Sequence, residues 1–491
     1  MIGGLDIGTS GCKISVYNRE AELLDCFYIE YAADYCGDCH EIHFDEIKNG
    51  VFSLLKKAAE KYSFSAIGVT SFGETFAMLD EEDRILAPSM LYTDKRGTEE
   101  TEELCRQLGK EWLTLLSGVK PHSMYSVGKM IWQKKNNPHL FDACKRILLA
   151  QDFIVYTLTG VAQIDYSLAA RTAAFDVEKK DWIKEVFEAT GIDMGLMSKP
   201  VPCGTVAGPI KQEIKELLSM NGDPIVVSGC HDQVAGMIGA GILKTGRAMD
   251  GAGTVECIPV LLREKPTDLA FYEGGYSVVP YPDEQYACYA FSFTGGATLK
   301  WFRNNFADRE WKEAEEAGKN IYSELEKKVN PAPTDILVLP HFAGAATPYM
   351  DVDSKAAFVG ITLDTTKYDL YKALMEGVAY EMLLNFNTLK ELTGEIEEIR
   401  ATGGGALSDV WLQIKADVLN REIIAFSCHE IGGAGTAAIA GLAAGCFSNL
   451  ESIVSKMASV RKTFSPDKQR VKEYADLYKK YANLYRATKE L

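Results

Sequence analysis

The stretch SGCHDQVAG places two ionisable side chains, His231 and Asp232, next to each other among small residues. Three chemistries fit such a pair: a catalytic His–Asp couple, a metal site, or one acid with an inactive neighbour. The following DQVAGMIGAG predicts a helix that starts at Asp232, where the helix N-terminus favours an ionised carboxylate, although an Asp there can also serve only as a cap. Because successive residues leaving a strand face opposite ways, we expect His231 to point away from a site containing Asp232 or only to border it.

A second chemical group is LDIGTSGCK, in which Asp6 ends a predicted strand and Lys13 follows a glycine- and hydroxyl-rich turn. The glycines have neither the Walker A order nor the Rossmann spacing. A hairpin turn of this composition can offer N–H and hydroxyl donors to phosphate oxygens. Asp6 can hold Mg²⁺ through water, and Lys13 can neutralise charge. A surface hairpin without a ligand is the alternative.

Two later segments strengthen the phosphate interpretation. GRAMDGAGTVECIPVLLRE predicts another strand–turn–strand hairpin with a Gly-Thr turn. ATGGGALSDVWLQIKADVLNREI predicts a strand that ends in three glycines, followed by a helix with Asp409 in its first turn. Consecutive glycines at a strand-to-helix junction indicate that a bulky ligand lies against the backbone, at the helix N-terminus.

The elements that must position these residues predict a duplicated α/β architecture. A chain of 491 residues is too long for one hydrophobic core, and apolar strands such as AIGVTSFGE alternate with amphipathic helices. The two Gly-Thr hairpins lie half the chain apart. We therefore expect two domains, residues 1–244 and 245–491, which are joined through an ordered segment near Gly241 and Gly246.

Composition limits the possible partners and compartment. The formal net charge of −17 argues against nucleic acid or an anionic membrane as the main partner. The N-terminus lacks the basic and apolar regions of a signal peptide, and no apolar run is long enough to span a bilayer. The 12 scattered cysteines fit free thiols in a reducing compartment. These features predict a cytoplasmic protein.

One cysteine cluster, CGDCHEIH, contains four residues of zinc-ligand type. Structural zinc sites separate their two ligand pairs by a longer loop, and four ligands within eight residues leave little chain to fold around an ion. A surface strand or loop connection is therefore the preferred interpretation. A metal site is the alternative, with ligands Cys36, Cys39, His40 and His43.

Taken together, these motifs resemble the FGGY carbohydrate kinase family, within the actin–Hsp70–sugar kinase superfamily. LDIGTSGCK resembles the first phosphate hairpin of the family, DGAGTVE its second, and ATGGGALSDVWLQIKADVLNREI its C-terminal signature. The segments FSFTGGATLKWF, LPHFAGAATPYMD and ALMEGVAYEM also occur in the family's order. The resemblance covers nearly the whole chain.

The resemblance implies two ribonuclease H-like α/β domains that flank a central cleft, with ATP on the C-terminal side and the sugar on the N-terminal side. Asp6 would organise Mg²⁺, and Asp232 would be the general base that accepts the proton of the attacking hydroxyl. An Asp with an ordinary pKa suits this task, because in a loose phosphoryl-transfer transition state the nucleophile loses its proton late. The residues carried over to the ATP site are Thr9, Ser10, Lys13, Gly253, Thr254, Gly296, Gly405 and Asp409.

On the acceptor side, the position of Glu74 matches the Glu of an Arg-Glu pair in glycerol kinases, but the partner Arg is missing and Gly73 stands there. The Met-His pair of xylulokinases is missing as well. The resemblance adds Asp94 in YTDKRG as a second hydroxyl acceptor. It also adds Tyr125 as an aromatic cover and Gln233 beside the base.

The resulting prediction is an ATP- and Mg²⁺-dependent kinase of a small sugar or polyol, with a pentulose such as xylulose as the first guess. Ribulose, fuculose, rhamnulose, glycerol, erythritol and gluconate are alternative acceptors. Two other classes compete: an actin-like ATPase that uses ATP as a conformational switch, and an inactive sugar sensor. A sensor would be expected to have lost Asp6 or Asp232, and both are present. A homodimer is possible, as is common in the family.

Overall fold

The computed structural model of the chain describes residues 1–37, 39–427 and 430–490. Strands and helices alternate through the first half, as the sequence predicts. The strands of this half are β1 (Ile2–Ile7), β2 (Gly11–Tyr17), β3 (Leu23–Glu30), β4 (Asp34–Cys36), β5 (Cys39–Ile42), β6 (Ala66–Ser71), β7 (Phe76–Leu79), β8 (Ser89–Met90), β9 (Arg146–Leu149), β10 (Gln163–Asp165), β11 (Phe175–Asp176), β12 (Asp181–Trp182), β13 (Lys199–Val201), β14 (Val206–Pro209) and β15 (Ile225–His231). The helices are α1 (Phe44–Ala59), α2 (Thr98–Leu108), α3 (Lys110–Ser117), α4 (Ser126–Asn136), α5 (Pro138–Ala143), α6 (Ala150–Thr159), α7 (Tyr166–Ala170), α8 (Lys184–Thr190), α9 (Gln212–Leu217) and α10 (Asp232–Gly239).

The second half repeats this alternation. Its strands are β16 (Arg247–Ala252), β17 (Glu256–Leu262), β18 (Ser277–Tyr281), β19 (Gln285–Ser292), β20 (Leu337–Leu339), β21 (Ala357–Val359), β22 (Glu398–Thr402), β23 (Glu422–Phe426) and β24 (Val460–Phe464). Its helices are α11 (Leu269–Glu273), α12 (Gly296–Phe306), α13 (Asp308–Glu316), α14 (Ile321–Glu326), α15 (Lys367–Thr393), α16 (Asp409–Leu419), α17 (Ile431–Ala443), α18 (Leu450–Met457), α19 (Lys468–Tyr481) and α20 (Leu484–Thr488). Two 3₁₀ turns cover Met194–Leu196 and Gly404–Leu407.

The main sheet of the first half has the strand order β14-β15-β6-β1-β2-β3. Strands β1, β2 and β3 form an antiparallel meander, while β6 pairs in parallel with β1 and β15 pairs in parallel with β6. Helix α1 packs on this sheet because its apolar residues recur at helical spacing and are buried. Three antiparallel strands followed by two parallel ones form a ribonuclease H-like sheet.

The main sheet of the second half has the order β18-β19-β17-β16-β22-β23-β24. Its five central strands repeat the same arrangement, because β16, β17 and β19 pair antiparallel and β22 and β23 continue in parallel. The predicted α/β fold with two ribonuclease H-like sheets is therefore confirmed.

Helices α10 and α17 pack closely against each other between the two sheets. A β-carbon on Gly239 would overlap the carbonyl oxygen of Ile431, and one on Gly435 would overlap that of Ala235. Helix α17 also lies on the first sheet, where the Oγ1 of Thr436 is 2.9 Å from that of Thr70. Glycine at the crossing lets the backbones of the two helices touch.

Two predictions about surface and membrane features can be compared with the fold. Within the described ranges, no helix combines the length and apolarity that a membrane span requires. Cys36 and Cys39 lie opposite each other on the exposed β4–β5 hairpin, while the ring of His40 contacts Thr93 and that of His43 contacts Asp34. Among the residues with described positions, no three His, Cys, Asp or Glu side chains form a metal-binding group.

Candidate active site

The carboxyl ends of three neighbouring parallel strands bring the predicted acids to one edge of the first sheet. Ile7 of β1 and His231 of β15 both stand beside Ser71, the last residue of β6. Asp6 precedes Ile7, and Asp232 follows His231. Ligands of open parallel sheets bind at this edge, outside the carboxyl ends of the strands.

The turn between β1 and β2 holds Thr9 and Ser10 and is closed by a hydrogen bond from the backbone N–H of Gly8 to the carbonyl of Gly11, at 2.9 Å. The hydroxyl of Tyr31 donates to the carbonyl of Gly8 at 2.5 Å. Ser10 is exposed and Thr9 is half-buried. The turn therefore leaves the small polar residues Thr9 and Ser10 accessible.

Asp6 and Lys13 are cross-strand partners on this hairpin, with 4.0 Å between Lys13 Nζ and Asp6 Oδ2. Lys13 Nζ also lies 2.8 Å from Oε2 of Glu430, the residue before α17. Burial raises the pKa of Asp6 to about 6, and the nearby Asp232 and Glu430 carboxylates add to the increase against Lys13. Burial alone would lower the pKa of Lys13, but Asp6 and Glu430 outweigh it and hold that pKa above its usual value.

This cluster fits a divalent cation. Asp232 and Glu430 both lie within electrostatic reach of Asp6, and Lys13 is the cation that pairs with Asp6 and Glu430. No three acids among the described residues are close enough to bind one ion together. Mg²⁺ suits such a place, because it usually keeps several waters and is bound by one or two carboxylates together with substrate phosphates. Asp6 is the candidate ligand.

The second hairpin, between β16 and β17, brings together the residues predicted for the other phosphate contact. The backbone N–H of Gly296, at the start of α12, donates to the carbonyl of Gly253 at 2.8 Å. The carbonyl of Thr254 accepts from Gly295 at 2.9 Å and from Ala297 at 3.1 Å. The N-terminus of α12 therefore meets the exposed Gly-Thr turn, and its first backbone N–H groups are taken by the carbonyls of that turn.

The glycines of the C-terminal signature lie against the same hairpin. A β-carbon on Gly405 would come 2.5 Å from the β-carbon of Ala252, and one on Gly403 would come 2.7 Å from its carbonyl oxygen. Asp409 begins α16, as predicted, but its carboxylate is held by Arg461 at 2.8 Å and Lys462 at 2.7 Å. Its charge is therefore already compensated by β24.

A buried charged cluster supports this hairpin from behind. Lys415 Nζ of α16 donates to Asp250 Oδ2 at 2.6 Å and to Glu256 Oε1 at 2.5 Å, and all three side chains are buried. Burial and the Asp250 charge raise the pKa of Glu256 far above its ordinary value, against the effect of Lys415. The cluster fixes the strands on both sides of the Gly-Thr turn.

Asp232 stands at the start of α10, as predicted, with 34 % of its side chain exposed while its Oδ1 is buried. Burial raises its pKa to about 6, and hydrogen bonds from Gln233 and the charge of Arg171 limit the increase. This differs from the ordinary pKa that the sequence suggests, because the helix N-terminus does not fully offset burial. The carboxyl group is still mainly ionised at neutral pH.

His231 borders Asp232, with 3.4 Å between its Nε2 and Oδ1 of the acid, and does not point away from it. Its ring lies 5.8 Å from the ring of Tyr289, on β19 of the second half. Burial and, to a smaller extent, the charge of Arg171 lower the pKa of His231 to about 3, so the imidazole is neutral. A neutral ring does not compete for the proton that Asp232 would accept.

Glu74 is buried and forms an ion pair that the sequence did not predict. Arg171 Nε donates to Glu74 Oε1 at 2.6 Å, and its Nη2 contacts the same oxygen. The guanidinium also lies over the ring of Tyr125, 5.0 Å from its centroid. The partner arginine that is missing beside Glu74 in sequence is therefore supplied from the end of α7.

Asp94 is enclosed, in contrast to its predicted role as a hydroxyl acceptor. Its side chain is 0 % exposed, and both of its oxygens accept hydrogen bonds from Arg96. The backbone N–H of His40 donates to Oδ2 at 2.9 Å. The carboxylate thus fastens β5 to its own loop, and this arrangement does not support direct contact with an acceptor.

Sequence reasoning missed Arg171, Tyr289, Lys415 and Glu430. Arg171 carried one signal, since a lone arginine within LAARTAAF is unusual among residues that read as buried. Glu430 precedes the glycine-rich α17, which is a typical place for a helix to meet a ligand. Tyr289 and Lys415 carried no local signal.

Comparisons with known proteins agree with this geometry. The profile of the FGGY family of carbohydrate kinases, N-terminal domain, matches residues 1–239, and that of its C-terminal domain matches residues 251–444. Xylulose kinase of Bacillus subtilis is 24% identical over 505 residues, covering 99% of this chain and 97% of the relative. Gluconokinase of Bacillus licheniformis is 26% identical, with 99% and 95% coverage. The crystal structure of ligand-bound xylulose kinase from Lactobacillus acidophilus superposes with a TM-score of 0.89 at 21% identity, covering 99% of this chain and 98% of the other.

The two ribonuclease H-like sheets and the two matching family models thus define a two-domain carbohydrate kinase. The chain belongs to the FGGY family of carbohydrate kinases.

Proposed function

We propose that this carbohydrate kinase transfers the γ-phosphoryl group of ATP to a hydroxyl of a small ketose or polyol, with a pentulose such as xylulose as the first acceptor to test. The observation that carries the proposal is the position of Asp232: a partly exposed carboxylate at the sheet edge, within electrostatic reach of Asp6. The relatives include both a xylulose kinase and a gluconokinase, so the acceptor has to be identified by experiment.

In the proposed reaction, the acceptor oxygen attacks Pγ, the bond from Pγ to the bridging oxygen of ADP breaks, and Asp232 takes the hydroxyl proton. A carboxylate with a pKa near 6 accepts that proton late, when the oxygen has become acidic through bonding to phosphorus. Bound Mg²⁺ would supply charge neutralisation on the phosphates. Asp6 would hold it.

The nucleotide side of the site is proposed to consist of both hairpins and their neighbours. The turn of Thr9 and Ser10 with Lys13 offers donors on one side. On the other side the Thr254 hydroxyl is the donor, next to Gly253 and to Gly296 at the start of α12. Gly405 would give the nucleotide room against β16, with Asp409 at the border. Residues 1–244 and 245–491 would then form the acceptor and nucleotide domains.

The acceptor side is proposed to include Glu74, Tyr125 and Gln233 beside the base. Tyr125 is buried and covers the guanidinium of Arg171, so that one wall of the pocket is aromatic. Asp94 contributes indirectly, because it holds Arg96 and β5 in place.

The test is the isosteric Asp232→Asn variant in a coupled assay of ADP release stimulated by sugars and polyols. We expect its turnover to fall by about 10²–10⁴-fold, the usual contribution of a general base, with nucleotide affinity nearly unchanged. The rate of the unmodified protein should fall tenfold per pH unit below about 6, because a protonated Asp232 cannot accept the proton.

Asp152→Asn is the matched control, because burial also raises the pKa of Asp152, to about 8, and Asp152 lies outside the site against Ser198. Its turnover should stay near that of the unmodified protein. Substantial turnover in Asp232→Asn would exclude the assignment of the base. Absence of stimulation by every sugar and polyol would exclude the proposed function.

A further inference from the structure

The Glu74–Arg171 ion pair lies close to the base, since the charge of Arg171 acts on the Asp232 carboxyl group. Both residues are buried, and the bonds from Arg171 converge on Oε1 of Glu74. Glu74 adopts a left-handed backbone conformation with φ of 65°, which is costly for a residue with a side chain and is retained mainly where the surroundings require it. Gly73 is also required, because a β-carbon there would come 2.9 Å from Arg171 Cγ and 3.2 Å from His231 Cδ2.

Two buried polar atoms near this pair, Nδ1 of His231 and the hydroxyl of Tyr289, have no hydrogen-bond partner among the described residues. The carboxylate of Asp232 lies beside them, with its Oδ1 3.4 Å from His231 Nε2. His231 and Tyr289 are each more than nine-tenths buried, and their rings contact each other. Buried polar groups are nearly always satisfied, so orphaned atoms that gather at one place indicate a ligand. Hydroxyl groups both donate and accept, which matches this mixture of an imidazole, a phenol and a carboxylate.

The charge of the pocket restricts which ligand this is. Arg171 is the cation beside the base, and the carboxylate of Glu74 already neutralises it at hydrogen-bond distance. The nearby Lys129 is occupied by the backbone carbonyls of Asp94 and Ser123. An acceptor with its own carboxylate would therefore meet Glu74 and Asp232 without an unpaired cation to bind it, which is unfavourable in a buried place.

From this arrangement we propose that Arg171 is a specificity-determining residue. Paired with Glu74, it forms an electrically neutral surface that binds the acceptor hydroxyls remote from the phosphorylated one. This surface selects neutral ketoses and polyols over aldonates. The inference rests on the proposed kinase function and deepens it, because it decides between two acceptor classes. His231 and Tyr289 complete this surface as hydroxyl-binding residues.

The second half of the chain contributes to this surface. Arg171 Nη1 lies 3.5 Å from Oγ of Ser277 on β18, and Tyr289 stands on the neighbouring β19. Acceptor recognition therefore depends on residues of both halves, whereas the sequence places every acceptor contact in the first half.

The experiment measures kcat/KM for D-xylulose, the best neutral acceptor found in the screen, and gluconate in the full-length protein and in Glu74→Gln and Arg171→Met. The amide of Glu74→Gln leaves the charge of Arg171 uncompensated. We expect its kcat/KM to fall at least tenfold for the neutral acceptor and to rise at least tenfold for gluconate, with the KM for ATP unchanged. Arg171→Met should have a lower kcat/KM for the neutral acceptor and no higher kcat/KM for gluconate. The acid limb of its pH–rate profile should move to higher pH, because the cation that restrains the pKa of Asp232 is gone.

A second pair of variants keeps the inference testable if the ion-pair variants fold poorly. Tyr289→Phe removes an orphaned buried hydroxyl, and Tyr380→Phe removes another in α15, far along the chain from the site. Neither change breaks a hydrogen bond of the described residues. We expect Tyr289→Phe to raise the KM of the neutral acceptor about fivefold and Tyr380→Phe to leave it unchanged.

The possible outcomes distinguish a failure of the proposed role of Arg171 from a failure of the proposed kinase function. If the unmodified protein phosphorylates gluconate as well as any neutral acceptor, or if Glu74→Gln leaves the ratio of the two unchanged, the inference fails while the kinase function stands. An unchanged KM in Tyr289→Phe would also contradict it. If the unmodified protein phosphorylates neither class, both the proposed function and the inference fail.

Discussion

The two Gly-Thr hairpins share a backbone shape and differ in the place of their acid. Asp6 of the first hairpin is partly exposed at the sheet edge, next to Lys13 and Glu430. Asp250 of the second is fully buried and bonded to Lys415. Asp6 stands three positions before Thr9, whereas Asp250 stands four positions before Thr254. Because strand side chains alternate, the one extra residue turns the second acid to the opposite face.

The difference shows how a duplicated element can divide two tasks. The first hairpin keeps a carboxylate where a cation can reach it, and the second uses its carboxylate to anchor a helix. The second turn thereby keeps the exposed Thr254 hydroxyl and the dipole at the start of α12 as its means of attracting an anion. One hairpin would carry the metal, and the other would present donors to the phosphates.

The largest expected effect tests the anchoring role. Lys415→Met should lower the free energy of unfolding by about 3–5 kcal/mol, because it leaves Asp250 and Glu256 buried without their cation. The loss should grow as pH rises, since burial raises the pKa of Glu256 and that acid must then ionise in the interior without Lys415. Urea unfolding followed by circular dichroism measures both effects. Lys462→Met, which breaks an exposed pair with Asp409, should cost less than about 1 kcal/mol. Equal losses of stability in the two variants would show that the buried cluster does not anchor the second hairpin.

The next largest effect tests whether the metal-binding role belongs to the first hairpin alone. Asp6→Asn should lower kcat by about 10²–10³-fold and raise the Mg²⁺ concentration needed for half-maximal rate, because it removes the candidate metal ligand. Asp250→Asn is the matched change on the other hairpin and should leave kcat within about threefold of normal, as its carboxylate faces α16. Steady-state rates across a Mg²⁺ titration distinguish the two. A larger kcat loss in Asp250→Asn than in Asp6→Asn would reverse the assignment.

How far the sequence predicted this arrangement depends on the distance between partners along the chain. Both hairpins, the helix that begins at Asp232 and the glycine contact of Gly405 follow from local patterns, and the structure contains them. Arg171 reaches Glu74 across 97 positions, and Lys415 reaches Asp250 across 165. Contacts of this kind arise when strands and helices pack, and no periodicity along the chain records them.

Asp94 illustrates a partner that lies close along the chain. The resemblance of YTDKRG implies a hydroxyl acceptor at Asp94, and Arg96 two residues later donates to both of its oxygens. The pKa of Asp232 could not be read from sequence either, because the burial of one carboxylate depends on both halves of the chain.

The smallest expected effect tests what the hairpins share. Thr9→Ala and Thr254→Ala should each raise the KM for ATP by about five- to tenfold, the cost of one hydrogen bond to a phosphate, and leave the KM of the acceptor unchanged. Initial rates at varied ATP and saturating acceptor give both values. Similar shifts would show that the turns act alike on the nucleotide. A shift in only one variant would show that a single turn holds the phosphates.

The glycine crossing of α10 and α17 has a mechanical consequence. Asp232 begins α10 about 10 Å along the axis from Gly239, and Ile431 begins α17 about 6 Å from Gly435. The base and Glu430 therefore lie at the two helix starts that lead away from the glycine contact. A small rotation of α10 on α17 about this contact would change the distance between the acceptor and the phosphates.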